Sequence, residues 1–310
     1  MDANICRNFL LVMTKFPDQL DSKGKYYFND DQNFKEYCTN NSCDSDLEKI
    51  NAGCLYFFNA FFKDSDLFQS VAKSNINIVD YIIIWLSYML NLKENNNGTS
   101  NLTYFYTTNI NNDKYTNSIT GVDAYSSYKD LIDKKHDLTK VDIKDISKFY
   151  DVFKKLCEMY TEFDDDNKNC TKCSGKAKEF VEKYKDLNKD YNNTNSSSYN
   201  KMLSTLSTDY NNLKNKCKNV QNSKFPLLPE IKTTQISVKS YEQTSAQTPE
   251  VASSSSSIGN NLFTVLSVFG AIALFLGIGY KHSLFGFRRK VQKNLRKKLK
   301  SLRRKWIISI

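Results

Sequence analysis

Cysteine is the residue type in this sequence that could do the most chemistry, because a thiol can form a disulfide, bind a metal or act as a nucleophile. Residues 55–156 and all residues after 217 contain none. An even number of cysteines outside the cytosol is typical of a disulfide framework. We expect every cysteine to be bridged, with pairs inside each of two groups: Cys6, Cys38, Cys43 and Cys54, then Cys157, Cys170, Cys173 and Cys217.

The Cys170-Thr-Lys-Cys173 spacing leaves two other interpretations open. A thioredoxin-like redox pair needs a βαβ context, and the sequence does not predict one. A zinc site needs two further ligands, for which only Cys157 and Cys217 are candidates. Structural disulfides are therefore the favoured interpretation, and we predict no metal.

Other residues with catalytic potential are scarce. The chain has two histidines: His136 lies in the charged stretch DKKHDL, where we expect it to be exposed, and His282 adjoins an apolar segment. A nucleophile elbow, a phosphate-binding glycine loop and a metalloprotease helix motif are all missing from the sequence. We predict a protein that is not an enzyme, with no catalytic residues and no cofactor.

The net charge is very unevenly distributed. The whole chain carries +10, but residues 281–305 supply twelve Lys or Arg and no acid, so residues 1–280 carry −2. A basic chain often binds nucleic acid, yet here the basic character belongs to a tail and the remainder is nearly neutral. We predict no nucleic-acid partner.

Residues 262–280, LFTVLSVFGAIALFLGIGY, are 19 residues without a charge. At about 1.5 Å per residue, a helix of this length roughly matches a ~30 Å hydrocarbon core. The segment has a Ser-rich side and a densely basic side, and basic residues favour the cytosolic side of a membrane. The sequence predicts a transmembrane helix with the tail in the cytosol. The first sixteen residues do not resemble a secretory signal peptide.

Two segments flank this helix. Residues 222–261 contain three of the four prolines and the run Ser253–Ser257, with almost no aromatics, which predicts a disordered stalk. Residues 281–310 repeat apolar residues every three or four positions, which predicts an amphipathic helix on an anionic inner leaflet. Its candidate lipid-binding residues are Arg288, Arg289, Lys290, Lys293, Arg296, Lys297, Lys298, Lys300, Arg303, Arg304 and Lys305.

Residues 1–221 have mainly helical periodicity, which predicts an all-α domain of about six to eight helices. A helix from Leu47 buries one aromatic face, and residues 78–92 form a central buried helix that is apolar on all sides apart from Asp80. Further apolar stripes cover 146–163, 177–187 and 202–220, the second following Ser174 as N-cap. The Asn-rich segments 95–101 and 188–200 are expected to be loops.

Several long segments resemble the Plasmodium interspersed repeat variant proteins of the Yir/Bir/Cir branch. They include CDSDLEKINAGCLYFFNAFFKDSDLF (43–68), KSNINIVDYIIIWLSYMLNL (73–92), FYDVFKKLCEMYTEF (149–163), NCTKCSGKAKEFVEKY (169–184), MLSTLSTDYNNLKNKC (202–217) and LGIGYKHSLFGFRRK (276–290). The resemblance implies a helical, disulfide-bonded exposed domain, one transmembrane helix and a short basic cytosolic tail. It also implies export into the infected red cell and proposed roles in antigenic variation, immune evasion and host-cell binding. The ending RRKWIISI (303–310) departs from the usual basic, Asn-tipped end.

The leading hypothesis is a non-enzymatic, single-pass variant surface antigen of an intracellular blood parasite. Its expected partners are anionic lipid, through the tail, and a host cell-surface receptor or antibody, through residues 1–221. A competing hypothesis is an internal membrane tether or trafficking factor that acts through the basic tail. A third is a Cys-x-x-Cys thiol oxidoreductase.

Overall fold

Helices make up the regular structure of the computed structural model, which describes residues 1–27, 32–93, 100–163, 169–190, 197–218 and 224–231. Within these ranges no strand forms, and β-pairing is limited to isolated bridges such as Leu20–Tyr26 and Thr39–Ser42. This confirms the predicted all-α domain. The helices are α1 (Ala3–Lys15), α2 (Gln32–Lys35), α3 (Asp46–Phe62), α4 (Ser65–Ser70), α5 (Ile78–Asn91), α6 (Asn101–Phe105), α7 (Asp113–Thr116), α8 (Tyr128–Lys135), α9 (Ile143–Ser147), α10 (Tyr150–Glu162), α11 (Thr171–Lys189) and α12 (Ser197–Lys216).

Helix lengths explain what the apolar periodicity could and could not detect. The described residues form twelve α-helices, more than the six to eight expected, and seven of them have eight residues or more: α1, α3, α5, α8, α10, α11 and α12. The others have four to six residues, too few for an apolar stripe to repeat. A π-helical turn, Tyr106–Ile110, continues α6.

Helix α5 is the centre of the domain, as its sequence predicts. Of its fourteen residues, all but Tyr88 and Asn91 are buried. It contacts α3, α6, α8, α9, α10 and α12, so the helix is surrounded by protein. A helix that is apolar on every side needs this complete burial to be stable in a globular domain.

Aromatic rings join α5 to its neighbours. The ring of Phe9 in α1 lies 4.5 Å from that of Phe57 in α3 and 4.8 Å from that of Phe153 in α10. Phe153 in turn stacks on Tyr81 of α5, with 4.4 Å between centroids. Contacts of this kind add about 0.5–1.5 kcal/mol per pair beyond the area they bury. The core is thus built from rings contributed by four helices that are distant in sequence.

Local signals fix the starts of the first two long helices. The carboxylate of Asp2 accepts a hydrogen bond from the backbone N–H of Ile5 at the start of α1. Ser45 and Glu48 form a reciprocal capping box at the start of α3. Such caps satisfy backbone donors that have no partner within the helix.

Several helix boundaries differ from those expected. Of the predicted loop 188–200, residues 188–189 belong to α11 and residues 197–200 to α12. The stripe over 146–163 is divided between α9 and α10, because the chain leaves the helix at Lys148 and Phe149. Helix α11 begins at Thr171 rather than after Ser174, and the hydroxyl of Ser174 donates to the carbonyl of Thr171 inside the helix. The disulfide formed by Cys170 holds the chain at this earlier start.

Residues 224–231, which the sequence analysis assigns to the stalk, lie against the domain. The Tyr210 hydroxyl donates to the Pro226 carbonyl, and the Asn188 amide donates to the Glu230 carbonyl. Phe225 contacts the ring of Tyr210. The domain therefore extends beyond residue 221, at least to Ile231.

The remaining stalk residues, the apolar segment 262–280 and the basic tail lie outside the described residues. Within the described ranges, none of the helices combines the length and the apolar character needed to span a bilayer.

Candidate functional site: the cysteines and a buried polar network

Three cysteines meet where α11 begins and α12 ends. Cys170 directly precedes α11 and forms a disulfide with Cys217, which directly follows α12. The Cys173 sulfur lies 4.0 Å from that of Cys217, and all three sulfurs lie within 4.8 Å of one another. The bridge joins the ends of two long helices and closes a chain of 47 residues. It lies inside the second predicted group.

The second disulfide, Cys38–Cys43, lies inside the first predicted group. Its five-residue separation closes a turn just before α3, in which Asn40 and Asn41 have positive φ angles of 52° and 57°. Asparagine tolerates this left-handed conformation better than most residues. The disulfide therefore fixes a turn, whereas Cys170–Cys217 joins distant helices.

The other four cysteines, Cys6, Cys54, Cys157 and Cys173, are buried free thiols in this structure. The expectation that all eight are bridged is thus corrected to four. The physical reason is that Cys6, Cys54 and Cys157 project from helix faces into the core, where they serve as small apolar side chains.

Burial also makes these thiols poor nucleophiles. Desolvation raises the pKa of Cys54 to about 12, although a hydrogen bond with Tyr115 lowers it. Desolvation raises the pKa of Cys157 well above its usual value, and a hydrogen bond with Cys6 raises it further. Because the thiolate is the reactive form, both groups are protonated and inert near neutral pH. The Cys6–Cys157 contact joins α1 to α10 and links the two cysteine groups.

The arrangement at Cys170, Cys173 and Cys217 bears on the metal and redox interpretations. A metal would need thiolates, and the disulfide removes two of the three sulfurs as ligands. A thioredoxin-like pair would link Cys170 to Cys173, but Cys170 is bonded to Cys217, and the described residues contain no βαβ unit. The geometry fits a structural bridge with an adjacent thiol.

A buried polar network surrounds Asp80 of α5. Its carboxylate lies 2.8 Å from the His136 Nε2 atom and 3.2 Å from the Lys135 ammonium, and it accepts a 2.6 Å hydrogen bond from the Thr205 hydroxyl. Desolvation acts to raise the pKa of Asp80, but the hydrogen bond and charge of His136, with Lys135 and Thr205, hold it below its usual value.

His136 is not exposed, contrary to the prediction from the charged stretch DKKHDL. Its side chain is buried rather than exposed, with a relative exposure of 2 % for the residue. The chain leaves α8 in an extended conformation at this residue, which turns the ring inward to Asp80. A buried carboxylate needs a partner of this kind, because an uncompensated charge in the core is very costly.

The second buried carboxylate belongs to Asp209, which lies one turn after Thr205 in α12. Asp209 accepts hydrogen bonds from the Tyr81 hydroxyl at 2.7 Å and from the Met1 ammonium at 2.8 Å. Residues i and i+4 share a helix face, so Thr205 and Asp209 together meet Asp80 and Tyr81 of α5. In the sequence, Asp80 is conspicuous because it interrupts an apolar run. Its partners His136 and Thr205 lie in ordinary polar stretches, so the sequence did not identify them as buried.

The candidate lipid-binding residues of the tail, Arg288 to Lys305, lie outside the described residues. The fold and the bridges therefore define the class of protein as a disulfide-bonded all-α domain.

The comparisons with known proteins give the particular family. The family described as "Plasmodium variant antigen protein Cir/Yir/Bir" matches residues 6–281. A solved structure described as "Structure of a Plasmodium PIR protein ectodomain" is 35 % identical, with a TM-score of 0.56, and the match covers 75 % of this chain and all of that one. No curated protein matches. The chain belongs to the Plasmodium Cir/Yir/Bir variant antigen family, as the sequence resemblance indicated.

Proposed function

We propose that this protein is a non-enzymatic, single-pass variant surface antigen that presents residues 1–231 outside the cytosol of an infected red cell. The observation that carries the proposal is the pair of disulfides in a chain that belongs to a variant antigen family. Disulfides persist in proteins that fold in an oxidising compartment and remain outside the cytosol. Immune evasion and contact with a host receptor or antibody are the roles proposed for the exposed domain.

The membrane topology within this proposal comes from the sequence. Residues 262–280 cross the bilayer and the basic tail stays in the cytosol, because twelve basic residues and no acid follow Tyr280. Protease added to intact infected cells should remove the disulfide-bonded domain and leave a protected fragment that contains the tail. Full protection of the domain, in cells that traffic the protein outward, would contradict surface display.

The competing function, an internal membrane tether, is favoured by the tail alone. A peptide of residues 281–310 should bind vesicles that contain phosphatidylserine, and salt should weaken the binding. Replacement of Arg296, Lys297, Lys298 and Lys300 by Gln should also weaken the binding of the peptide to these vesicles. Equal binding to neutral vesicles would assign the affinity to the apolar residues and Trp306 instead. Lipid binding by the tail agrees with both functions, so the protease experiment decides between them.

A further inference from the structure

Residues 224–231, KFPLLPEI, cross the surface of α11 and α12 without forming a helix or a strand. Their contact with the domain recurs at every third residue. Phe225, Leu228 and Ile231 pack against the core, whereas Leu227 is 79 % exposed. A polyproline II helix has three residues per turn, so one of its faces repeats with this period. The exposure pattern is therefore that of a polyproline II segment with one docked face.

Two prolines favour the same conformation. Each of Pro226 and Pro229 restricts its own φ angle to about −65°, which is close to the polyproline II value. A proline also biases the residue before it towards an extended conformation, which applies here to Phe225 and Leu228. A segment with so few accessible conformations loses little entropy when it docks.

Tyr210 of α12 provides the main contact for the segment. Its hydroxyl donates a 2.8 Å hydrogen bond to the Pro226 carbonyl, and its ring lies 5.9 Å from that of Phe225. The ring of Phe180 in α11 stacks on the other side of the contact, with 4.8 Å between the centroids of Phe180 and Tyr210. Proline-rich segments are recognised by aromatic surfaces of this kind.

Asn188 of α11 provides the second contact. Its Nδ2 atom donates a 2.8 Å hydrogen bond to the Glu230 carbonyl. Its Oδ1 atom is buried and has no hydrogen-bond partner among the described residues, which is unfavourable for a buried acceptor. The chain's own segment therefore satisfies this amide only in part, and a segment that offers an N–H group here would satisfy it completely.

Both hydrogen bonds end on backbone carbonyls, of Pro226 and of Glu230. Neither bond depends on the identity of the side chain at that position. What the surface recognises is a backbone shape together with apolar side chains three residues apart. A different segment with the same features can make the same contacts.

We propose that the α11–α12 surface, defined by Phe180, Asn188 and Tyr210, binds an extended proline-rich segment of a partner protein. Residues 224–231 are its occupant in cis and compete with the partner for the surface. The partner's segment has polyproline II conformation and an apolar residue at every third position. The inference rests on the proposed function, because it gives the exposed domain a class of partner.

The test uses the full-length chain in nanodiscs of neutral lipid and a fluorescent peptide of residues 224–231, whose binding is followed by anisotropy. An attached segment competes at an effective concentration on the order of 1 mM. A peptide with a dissociation constant of about 100 µM for the free surface should therefore bind the native chain about tenfold more weakly. Leu228→Asp combined with Ile231→Asp should release the attached segment, because both side chains pack against the core, and should restore the tighter binding.

A second variant releases the segment without introducing charge. Pro226→Gly combined with Pro229→Gly removes the conformational bias of the attached segment and should also increase peptide affinity. The helical circular dichroism signal of each variant verifies that the domain is folded. A released chain that binds the peptide no better than the native chain would overturn the proposal.

Tyr210→Phe, made in the released chain, tests the surface itself. It should weaken peptide binding about fivefold, because one neutral hydrogen bond is lost. Tyr125→Phe is the matched control: its hydroxyl donates an equal 2.8 Å hydrogen bond to the Phe62 carbonyl, outside the α11–α12 surface, and its loss should leave peptide affinity unchanged. Equal effects of the two substitutions would contradict recognition by Tyr210.

Two further measurements identify the ligand chemistry and its source. A peptide with alanine at both proline positions should bind the released chain more weakly, and equal binding would overturn recognition of a proline-rich segment. A native chain with twice the monomer mass, converted to monomer by Leu228→Asp with Ile231→Asp, would show that two copies exchange this segment and would overturn a separate partner. Because these measurements use purified protein, their failure is distinguishable from failure of surface display in the protease experiment.

Discussion

The Nε2 atom of His136 lies 2.8 Å from the Oδ1 atom of Asp80, and both side chains are fully buried although the residues are 56 positions apart. This contact joins the end of α8 to the first turn of the central helix α5. The Thr205 hydroxyl adds α12 to the same carboxylate. A single buried acid therefore sets the relative positions of three helices.

Asp80→Asn should lower the free energy of unfolding by about 3 kcal/mol, because it removes the charge that compensates its buried partners. The exposed Asp133, which pairs with Lys129, provides the control, and Asp133→Asn should cost under about 1 kcal/mol. Urea unfolding of both variants measures the difference. Equal effects would contradict a special role for Asp80.

The pH dependence of the same pair has a definite sign. The pKa of Asp80 is lowered from its ordinary value of 3.8, so its contribution to stability is fully present above about pH 4. That contribution is lost as the pH falls through the lowered pKa. The difference in stability between the native chain and Asp80→Asn should therefore shrink on acidification below pH 4, and a constant difference would be inconsistent with the assignment.

The length of each sequence pattern determined how well it predicted the structure. The long apolar runs of α3 and α5 identified the core, since burial of a continuous stripe leaves a clear periodicity. The position of His136 could not be predicted, because DKKHDL resembles a surface stretch and only the distant Asp80 makes burial favourable. Cysteine pairing was predictable only to the level of groups, since the spacing along the chain does not specify which sulfurs meet.

The packing of Gly53 against Trp85 gives a prediction about the core. A Cβ atom at Gly53 of α3 would lie 2.6 Å from the Trp85 ring, whereas one at Gly175 of α11 would meet no atom within 4 Å. Gly53→Ala should destabilise the domain by about 1–3 kcal/mol through overpacking. Gly175→Ala, the matched control, should stabilise it by about 0.5–1 kcal/mol, because alanine favours a helix. Thermal unfolding of the two variants checks whether their effects have opposite signs.

The two disulfides should contribute unequally to stability. Cys170–Cys217 closes 47 residues and Cys38–Cys43 closes five. In the chain-entropy description these loops are worth about 4 and about 2 kcal/mol, against a total of about 5–15 kcal/mol for a domain. Cys217→Ser should therefore lower the denaturant midpoint more than Cys43→Ser. The reverse order would mean that native contacts, rather than loop length, determine the contribution.

The thiol of Cys173 should replace that of Cys170 when the latter is removed. The Cys173 sulfur is only 4.0 Å from that of Cys217, and both lie at the same junction of α11 and α12. After oxidative folding, Cys170→Ser should contain a Cys173–Cys217 bridge, which non-reducing peptide mapping would detect. Cys173→Ser is the control and should retain Cys170–Cys217. Free thiols at both Cys173 and Cys217 in the first variant would show that the junction is too rigid to adjust.

The number of free thiols tests the pairing of the whole chain. Cys6, Cys54, Cys157 and Cys173 are all buried, and desolvation raises the pKa of each of the last three, so a thiol reagent should find no reactive group in the native protein. Four thiols should react once the chain is unfolded in guanidinium without reductant. A count of two, with a Cys6–Cys157 peptide, would mean that these contacting residues of α1 and α10 form a third bridge. Such a bridge would cross the two cysteine groups, whereas a count of zero would restore the expectation that all eight cysteines are paired.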